Sequence, residues 1–187
     1  MRELIADLFI SLDGFASGVN EAAFFGCFGE ELGNWVNDHL AEPQDLIMGR
    51  VTYTSLAQFS HAATDHASLR MAELSKLVFT STLREPLAWK NTQLVKGSLA
   101  DEIVTLKHKT GGPLRCVGSI SLVRSMIQLG LLDRLRLMIF PLILGTVGKE
   151  PIFAAYRRTS LKPMDTRVLD SRLILLEYRL AHSTGSV

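Results

Sequence analysis

The amino-acid sequence predicts an α/β fold of three layers, in which helices cover both faces of a mixed, mostly parallel central sheet with antiparallel C-terminal strands. Strand-like and helix-like segments alternate through the middle of the chain, which is typical of parallel strands joined by helical crossovers. Short, mostly apolar segments such as 45–48 and 114–117 indicate strands that are covered on both faces. Two consecutive strand-like segments near the end predict an antiparallel edge.

The N-terminal half begins with a strand-like segment, residues 3–11, which ends before the turn pair Asp13-Gly14. Residues 12–29 are rich in turn residues and predict a long loop, and such loops are usually functional or disordered. Residues 30–40 carry apolar side chains at helical spacing and predict a helix. The remaining segments of this half are predicted as strand 45–48, helix 50–59, helix 66–75 and strand 76–81.

Glycine and proline mark the element ends in the C-terminal half, at Gly111-Gly112-Pro113 and again at Gly130. The apolar run 135–144 contains Pro141, and it is compatible with a core strand and equally with part of a subunit interface. The other segments are predicted as strand 92–96, helix 99–109, strand 114–117, helix 119–129 and strands near 162–169 and 172–181.

The composition predicts one domain over residues 1–187 that folds without metal or disulfide bonds, since 47% of the 187 residues are hydrophobic. The formal net charge of +1 argues against a broad surface for nucleic acid or an anionic membrane. No segment fits a signal peptide or the roughly 20 apolar residues of a membrane span, so we expect a cytoplasmic protein. Cys27 and Cys116 fit packed thiols of a reducing compartment, and only the tail 183–187 is expected to fray.

Two strand-to-helix turns with glycine are the most informative motifs. Gly49 follows the strand 45–48 and opens a helix, and Gly118 does the same after the strand 114–117. Glycine allows a ligand to approach the backbone, and free amide groups at a helix start suit phosphate. The side chains that add hydrogen-bond donors at these turns are Arg50, Thr52, Ser119 and Ser121. Main-chain amides at the two turns are therefore predicted to flank one pyrophosphate, although either glycine alone also fits an ordinary strand end.

A third turn, with Thr80, Ser81 and Arg84, follows the strand-like residues 76–79. Its hydroxyl groups and guanidinium suit an adenosine ribose or its 2′-phosphate, and they equally fit a capped turn with a solvated arginine. The chain has neither the GxGxxG fingerprint of Rossmann folds nor the GxxxxGK[ST] sequence of a P-loop. The predicted phosphate site is thus of a different kind.

An ordered series of motifs over roughly residues 3–180 resembles the reductase domain of bacterial riboflavin-biosynthesis deaminase-reductases, a member of the dihydrofolate-reductase-like superfamily. The matching segments are Ser11-Leu12-Asp13-Gly14, Met48-Gly49-Arg50-Val51-Thr52-Tyr53, Val78-Phe79-Thr80-Ser81-Thr82-Leu83, Val117-Gly118-Ser119, Gly130-Leu131-Leu132-Asp133, Pro141-Leu142-Ile143-Leu144-Gly145 and Phe153. The chain departs from the family at two places. It has Gly118-Ser119 where the family often has two glycines, and its loop around Val147-Gly148-Lys149 is less rich in glycine than is usual.

The resemblance implies a dihydrofolate-reductase-like fold, NADPH as hydride donor and often a homodimer. Carried over by position, the cofactor phosphates would be lined by Gly49, Arg50 and Thr52. The adenosine end would be contacted by Thr80, Ser81 and Arg84. The pyrophosphate would be held from the other side by Gly118, Ser119, Ser121 and Leu122. Asp13 would face the nicotinamide and the substrate.

Few side chains are needed for hydride transfer, because the cofactor carries the chemistry. Asp13 is the candidate proton donor, and an Asp-Gly pair is also a common turn in which the carboxylate only shapes the loop. The aromatic residues Phe24, Phe25, Phe28 and Trp35 would form either a wall for a flat substrate or part of the core. The spacing of His61 and His66 does not fit zinc, no metal site is expected, and the zinc deaminase signature is absent.

The sequence thus predicts an NADPH-dependent reductase of a small pyrimidine- or pteridine-like substrate, similar to the 5-amino-6-(5-phosphoribosylamino)uracil reductase of riboflavin biosynthesis. One alternative is a dihydrofolate reductase, which requires an acid of the first helix, Glu30, Glu31 or Asp38, at the pterin. The other is a non-catalytic nucleotide-binding or regulatory protein on the same fold.

Overall fold

Eight strands form one sheet in the computed structural model, which describes residues 1–60, 64–154, 156 and 158–181. All strands of the described residues are, in chain order, β1 (Leu4–Ser11), β2 (Phe15–Gly18), β3 (Asp45–Gly49), β4 (Ser75–Phe79), β5 (Thr92–Val95), β6 (Leu114–Val117), β7 (Arg134–Phe140), β8 (Gly148–Pro151), β9 (Leu161–Leu169) and β10 (Leu173–Leu180). Two of them, β2 and β8, form a separate sheet. The helices are α1 (Glu30–Ala41), α2 (Arg50–Ser60), α3 (His66–Glu73), α4 (Leu99–His108) and α5 (Ile120–Gln128), with short 3-10 helices at Ala23–Gly26 and Gly145–Val147.

The strand order in the large sheet is β5-β4-β3-β6-β1-β7-β10-β9. Neighbouring strands from β5 to β7 run parallel, β10 is antiparallel to β7, and β9 is antiparallel to β10. This arrangement confirms the predicted mixed, mostly parallel sheet with antiparallel C-terminal strands.

Helices cover both faces of the sheet, because the side chains of each strand alternate between two apolar clusters. On one face Ile103 of α4 and Val123 of α5 pack with Ala6 and Cys116. On the other face, the side chains of α1, α2 and α3 pack over Met48, Val78 and Met138. The predicted three layers are therefore confirmed.

The N-terminus of α1 is capped by a residue from the far end of the chain. Asp170, in the turn between β9 and β10, accepts the amide N–H of Glu31 at 2.9 Å and that of Leu32 at 3.2 Å. Carboxylates satisfy the unpaired amides of a first turn and favour its positive dipole end. This contact fixes α1 against the antiparallel edge, with Leu32 and Trp35 buried beneath it.

The predicted loop 12–29 contains structure that the sequence pattern did not indicate. β2 pairs with β8 in a separate two-stranded sheet, in which Phe15 lies opposite Pro151 and Gly18 opposite Gly148. Strands of four residues are too short for a recognisable alternation of polar and apolar side chains. Their pairing depends on contacts between distant parts of the chain.

The run 135–144 contributes an interior strand, since β7 lies between β1 and β10 and ends at Phe140, before Pro141. Its central residues are buried, which decides between the two interpretations in favour of a core strand.

Among the described residues, no helix is both long and apolar enough to cross a membrane. The predicted frayed tail 183–187 lies outside the described residues.

Candidate functional site

A cavity of ≈ 1030 Å³ lies where several parallel strands end. Its wall includes the last residues of β3, β4 and β6, which are Gly49, Phe79 and Val117, together with residues from the middle of β1. Ligands of open α/β sheets bind at such carboxyl ends. The volume lies at the upper end of the range, roughly 300–1,000 Å³, of small-molecule and cofactor sites.

The two glycine turns meet at this cavity. The Oγ of Ser119 accepts the amide N–H of Gly49 at 2.8 Å and donates to the Oγ1 of Thr52 at 2.7 Å. Gly118 and Ser119 both have positive φ angles, +61° and +58°. We call the pair of turns, residues 49–52 and 118–122, the double corner. Every residue predicted there lines the cavity: Gly49, Arg50, Thr52, Gly118, Ser119, Ser121 and Leu122.

The amide groups of the two glycines are not free for a ligand. The N–H of Gly49 donates to Ser119 Oγ, and the N–H of Gly118 donates to the carbonyl oxygen of Asp7 at 3.2 Å. The predicted main-chain contact of the two turns with phosphate therefore requires amides other than these two. Donors without an intrahelical partner lie one step further along, in the first turns of α2 and α5.

The absence of a side chain still matters at both glycines. A Cβ atom on Gly49 would lie 3.6 Å from the Oγ of Ser119, and one on Gly118 would lie 3.5 Å from the Cγ2 of Thr52. Each methyl group would thus occupy the space between the two turns. The double corner thus encloses a space that side chains at these two positions would fill.

Two arginines line the same cavity, Arg50 at the start of α2 and Arg124 in α5. The Nε of Arg124 is buried without a hydrogen-bond partner among the described residues. Its guanidinium carbon lies 5.6 Å from the ring centroid of Tyr156, whose pKa is raised by burial. Sequence reasoning identified Arg50 and missed Arg124, which lies one helical turn beyond the Gly118 motif.

The third predicted turn does not reach the cavity, although Phe79 just before it does. The Oγ1 of Thr80 accepts the amides of Thr82 and Leu83, each at 3.1 Å. Arg84 donates to two backbone carbonyl oxygens of its own turn, those of Ser81 and Leu83. In this structure Thr80, Ser81 and Arg84 form a self-contained exposed turn, and their predicted contact with an adenosine remains a prediction.

Asp13 does not line the cavity either, and its carboxylate is engaged within the protein. It accepts the hydroxyl of Ser11 at 2.7 Å, the amide of Leu144 at 3.1 Å and the amide of Gly145 at 2.8 Å. The hydrogen bond from Ser11 and those from the two amides lower the pKa of Asp13. The carboxylate thus joins the loop after β1 to the loop after β7, and its catalytic role remains a prediction.

The aromatic residues of the N-terminal loop divide between two environments. Phe24 and Trp35 line the cavity together with Phe9. Phe25 packs on Phe140 with ring centroids 5.2 Å apart, and Phe28 packs on Phe24 at 5.0 Å. A wall of flat apolar side chains is therefore present, and half of the predicted set contributes to it.

Three polar side chains that sequence reasoning missed line the cavity beside Trp35: Asp7, His39 and Arg115, here called the polar wall. The signal for two of them was available, since a charged residue interrupts the apolar strands β1 and β6. The Nδ1–H of His39 donates to the carbonyl oxygen of Trp35 at 2.7 Å. Burial and the neighbouring guanidinium groups of Arg115 and Arg136 lower the pKa of His39, so its ring is neutral near pH 7.

The acids of the first helix lie elsewhere. None of Glu30, Glu31 and Asp38 is among the residues that line the cavity, and Glu31 accepts the amide of Asp170. The dihydrofolate-reductase alternative required one of these acids at the ligand. The carboxylate that lines the cavity beside the aromatic wall comes from β1 instead, as Asp7.

The described part of the chain contains no group of three or more His, Cys, Asp or Glu residues placed to hold a metal ion. His66 lies near the Oδ1 of Asn37, at 3.4 Å. His61 and His182 lie outside the described residues. Both cysteines are free thiols, and burial raises the pKa of Cys116 well above its usual range.

Comparisons with known proteins agree with this geometry. The family model described as the RibD C-terminal domain matches residues 2–175. The uncharacterized protein YyaP of Bacillus subtilis (strain 168) is 28% identical over 185 residues, which cover 95% of this chain and 94% of that protein.

Two solved structures show the same fold. A putative riboflavin biosynthesis protein from Shewanella sp. PV-4 superposes with a TM-score of 0.76 at 19% identity, covering 96% of this chain and 99% of that one. Dihydrofolate reductase from Enterococcus faecalis, complexed with NADP(H) and RAB-propyl, superposes with a TM-score of 0.64 at 12% identity, covering 95% and 96%. The three-layer fold is dihydrofolate-reductase-like.

Proposed function

This chain belongs to the RibD C-terminal domain family, and we propose that it is an NADPH-dependent reductase of a small pyrimidine- or pteridine-like substrate. The family supports an oxidoreductase of the riboflavin-pathway type. The observation that carries the proposal is the single cavity that joins the double corner to a wall of Phe9, Phe24 and Trp35. A dinucleotide phosphate group and a flat heterocycle find complementary surfaces in that one space.

The residues of the double corner fit a dinucleotide. Both glycine positions leave open the space that a Cβ atom would fill. The first turns of α2 and α5 point their unpaired amides and positive dipole ends at this region, an arrangement that favours phosphate. Arg50 and Arg124 add positive charge to the same wall, which favours the phosphates of a dinucleotide.

Bound NADPH would supply a hydride. The protein's own residues would bind and orient the two ligands and exclude water from the space between them. Thr52 and Ser119 hold the two turns at a fixed separation through their hydroxyl groups. The half-buried side chain of Phe9 and the buried side chain of Trp35 present an apolar surface on which a heterocycle packs.

Titration with NADPH and with NADH, followed by thermal unfolding, tests cofactor binding. We expect NADPH, the hydride donor that the family resemblance implies, to raise the melting temperature more than NADH does. The nucleotide that binds the folded state more tightly stabilises it more. Absence of stabilisation by either nucleotide at millimolar concentration would refute the proposal. NADPH binding without oxidation of NADPH by any pyrimidine, pterin or dihydrofolate substrate would favour the non-catalytic alternative.

Two arginine variants form a matched pair for the same assay. Arg50→Ala removes a charge that lines the cavity, whereas Arg84→Ala removes one that hydrogen-bonds within its own turn. We expect the first to weaken NADPH binding about tenfold or more, since a charge-assisted hydrogen bond contributes roughly 1.5–3 kcal/mol. A loss of NADPH affinity in Arg84→Ala as well would support the predicted contact of the third turn with the adenosine end, and an unchanged affinity in Arg50→Ala would contradict a phosphate site at the double corner.

A further inference from the structure

An ion pair between two neighbouring strands lines the cavity. Asp7 of β1 and Arg115 of β6 project from the face of the sheet that α1 covers, and both line the cavity with Trp35. Only 8% of Asp7 and 5% of Arg115 are exposed. The Oδ2 of Asp7 accepts a hydrogen bond from the Nε of Arg115.

The hydrogen bonds of this pair are incomplete. The Oδ1 of Asp7 has no hydrogen-bond partner among the described residues, and it forms an ion pair with the Nη1 of Arg136 at 3.7 Å. The Nη1 of Arg115 donates to the carbonyl oxygen of His39 at 3.0 Å and to the Oε1 of Gln44 at 3.4 Å. Its Nη2 has no partner within the described chain. The pair thus retains one unused acceptor and one unused donor.

Stability does not account for such a pair. Removing two charges from water costs several kcal/mol for each ion, and apolar replacements of a buried pair are often neutral or stabilising. Buried polar atoms normally have hydrogen-bond partners. Two buried atoms without a partner in one ion pair therefore require an explanation, and a ligand is one. Both atoms are buried, and the two residues that carry them line a large cavity, so a ligand that enters there and turns the two side chains toward it would complete their hydrogen bonds.

We propose that Asp7 and Arg115 together recognise an amide edge of the substrate, in which an N–H group lies next to a carbonyl oxygen. The N–H would donate to the carboxylate, and the carbonyl oxygen would accept from the guanidinium. This inference rests on the proposed function only for placing the substrate in this cavity.

The charge of the pair selects against ionic groups. A substrate carboxylate or phosphate at this position would be repelled by Asp7, and an ammonium group would be repelled by Arg115. A neutral edge with one donor and one acceptor satisfies both at once. Trp35 lies 5.7 Å from the guanidinium carbon of Arg115 and supplies an apolar ring surface beside the pair, so the edge belongs to a flat ring.

Calorimetric titration of the NADPH-saturated protein with uracil and with 1,3-dimethyluracil tests the proposal. The two probes share the ring and its carbonyl oxygens, but only uracil has ring N–H groups. We expect uracil to bind at least about tenfold more tightly, because a site built to hydrogen-bond a polar group rejects ligands without it. In Asp7→Asn, whose amide oxygen still accepts a hydrogen bond, this preference should weaken, and in the double variant Asp7→Leu with Arg115→Met it should disappear.

The double variant guards against loss of folding, because it replaces both charges with apolar side chains. Arg134→Met is the matched control, since Arg134 is paired with Glu177 and Glu3 and does not line the cavity. It should keep the full preference for uracil.

Equal binding of the two probes by the wild type, or no binding of either, would overturn the proposal. So would a preference that persists in the double variant, since crowding of the methyl groups would then explain it. Failure of NADPH to bind is a separate result, directed against the proposed function. The probe titration without NADPH still tests the ion pair in that case.

Discussion

Ser119 joins the two strand-to-helix turns although its backbone lies in the left-handed region, at φ +58°. Residues with a side chain rarely adopt this conformation, and it costs roughly 1–2 kcal/mol. Its Oγ offsets the cost by bridging the amide of Gly49 and the hydroxyl of Thr52. The departure from the two glycines often found in the family therefore has a physical reason, because only a side chain at position 119 can form this bridge.

A pair of variants separates the strain from the bridge. Ser119→Ala loses both hydrogen bonds and keeps the strained backbone, whereas Ser119→Gly loses the bonds and relieves the strain. We expect Ser119→Ala to be less stable than Ser119→Gly by about 1 kcal/mol in urea unfolding. Equal stability of the two variants would mean that the left-handed backbone carries no cost here.

Asp13 is predicted to stabilise the fold in a pH-dependent way. Its pKa is lowered in the folded state by the hydrogen bond from Ser11 and by the amides of Gly145 and Leu144. A lowered carboxyl pKa stabilises the protein above the unfolded-state pKa of about 4, and this contribution is lost as the pH falls through the folded-state pKa. Asp13→Asn should therefore melt at a lower temperature than the wild type at pH 7.

The difference in melting temperature should shrink as the pH is lowered below about 4. A difference that stays constant over this range would mean that the charge of Asp13 is not responsible. Asp165→Asn serves as the comparison, because Asp165 also has a lowered pKa but binds only its neighbours Thr166 and Arg167 on its own exposed strand. Its loss should have the smaller effect at pH 7.

At the scale of elements, the double corner depends on two strands that end side by side, β3 at Gly49 and β6 at Val117. Their register places Ile47 opposite Cys116, so the helices that follow begin next to each other. This parallel pairing, rather than either motif alone, brings the two turns together into the double corner, the proposed phosphate site. The first turns of α2 and α5 would offer their unpaired amides to the same ligand.

Gly49→Ala tests whether the open space of the double corner is needed for ligand binding, without disturbing the fold. A Cβ atom there makes an ordinary contact with Ser119, and Gly49 does not need a positive φ angle. We expect a change in unfolding free energy below about 1 kcal/mol and a loss of NADPH affinity of about tenfold or more, measured by titration. Gly33→Ala, inside α1 and away from the cavity, is the control and should keep full affinity.

At the scale of the whole molecule, β9 is an edge strand of nine residues that pairs only with β10 in the large sheet. Val168 lies opposite Ile174, and these apolar side chains are 62% and 40% exposed. Long exposed edges with apolar side chains favour association with another chain. We propose that a second copy of the protein covers this surface in a homodimer.

Light scattering after gel filtration tests the homodimer. Val168→Asp places a charge in the proposed interface and should shift the protein from dimer to monomer. Arg167→Ala changes the neighbouring residue on the opposite face of the same strand and should leave the dimer intact. A monomeric wild type would refute the proposal.

Much of the fold was predictable because its signals are local. Helical periodicity identified α1, and glycine turns identified the ends of β3 and β6 within one or two residues. The small sheet of β2 and β8 was not predictable, since it joins two four-residue strands separated by most of the chain. The part of the site with a local signature, the double corner, was likewise predicted, and the polar wall was not.

The amino-acid sequence by itself determined the order of the helices and of the strands of the large sheet, the parallel character of that sheet and the two glycine turns, because periodicity and turn chemistry act over a few residues. The tertiary structure alone decided which polar side chains meet. It paired Asp7 with Arg115 across 108 positions, and turned the carboxylate of Asp13 to the backbone of residues 144–145. Such contacts depend on strand register and helix packing, which no short stretch of sequence encodes.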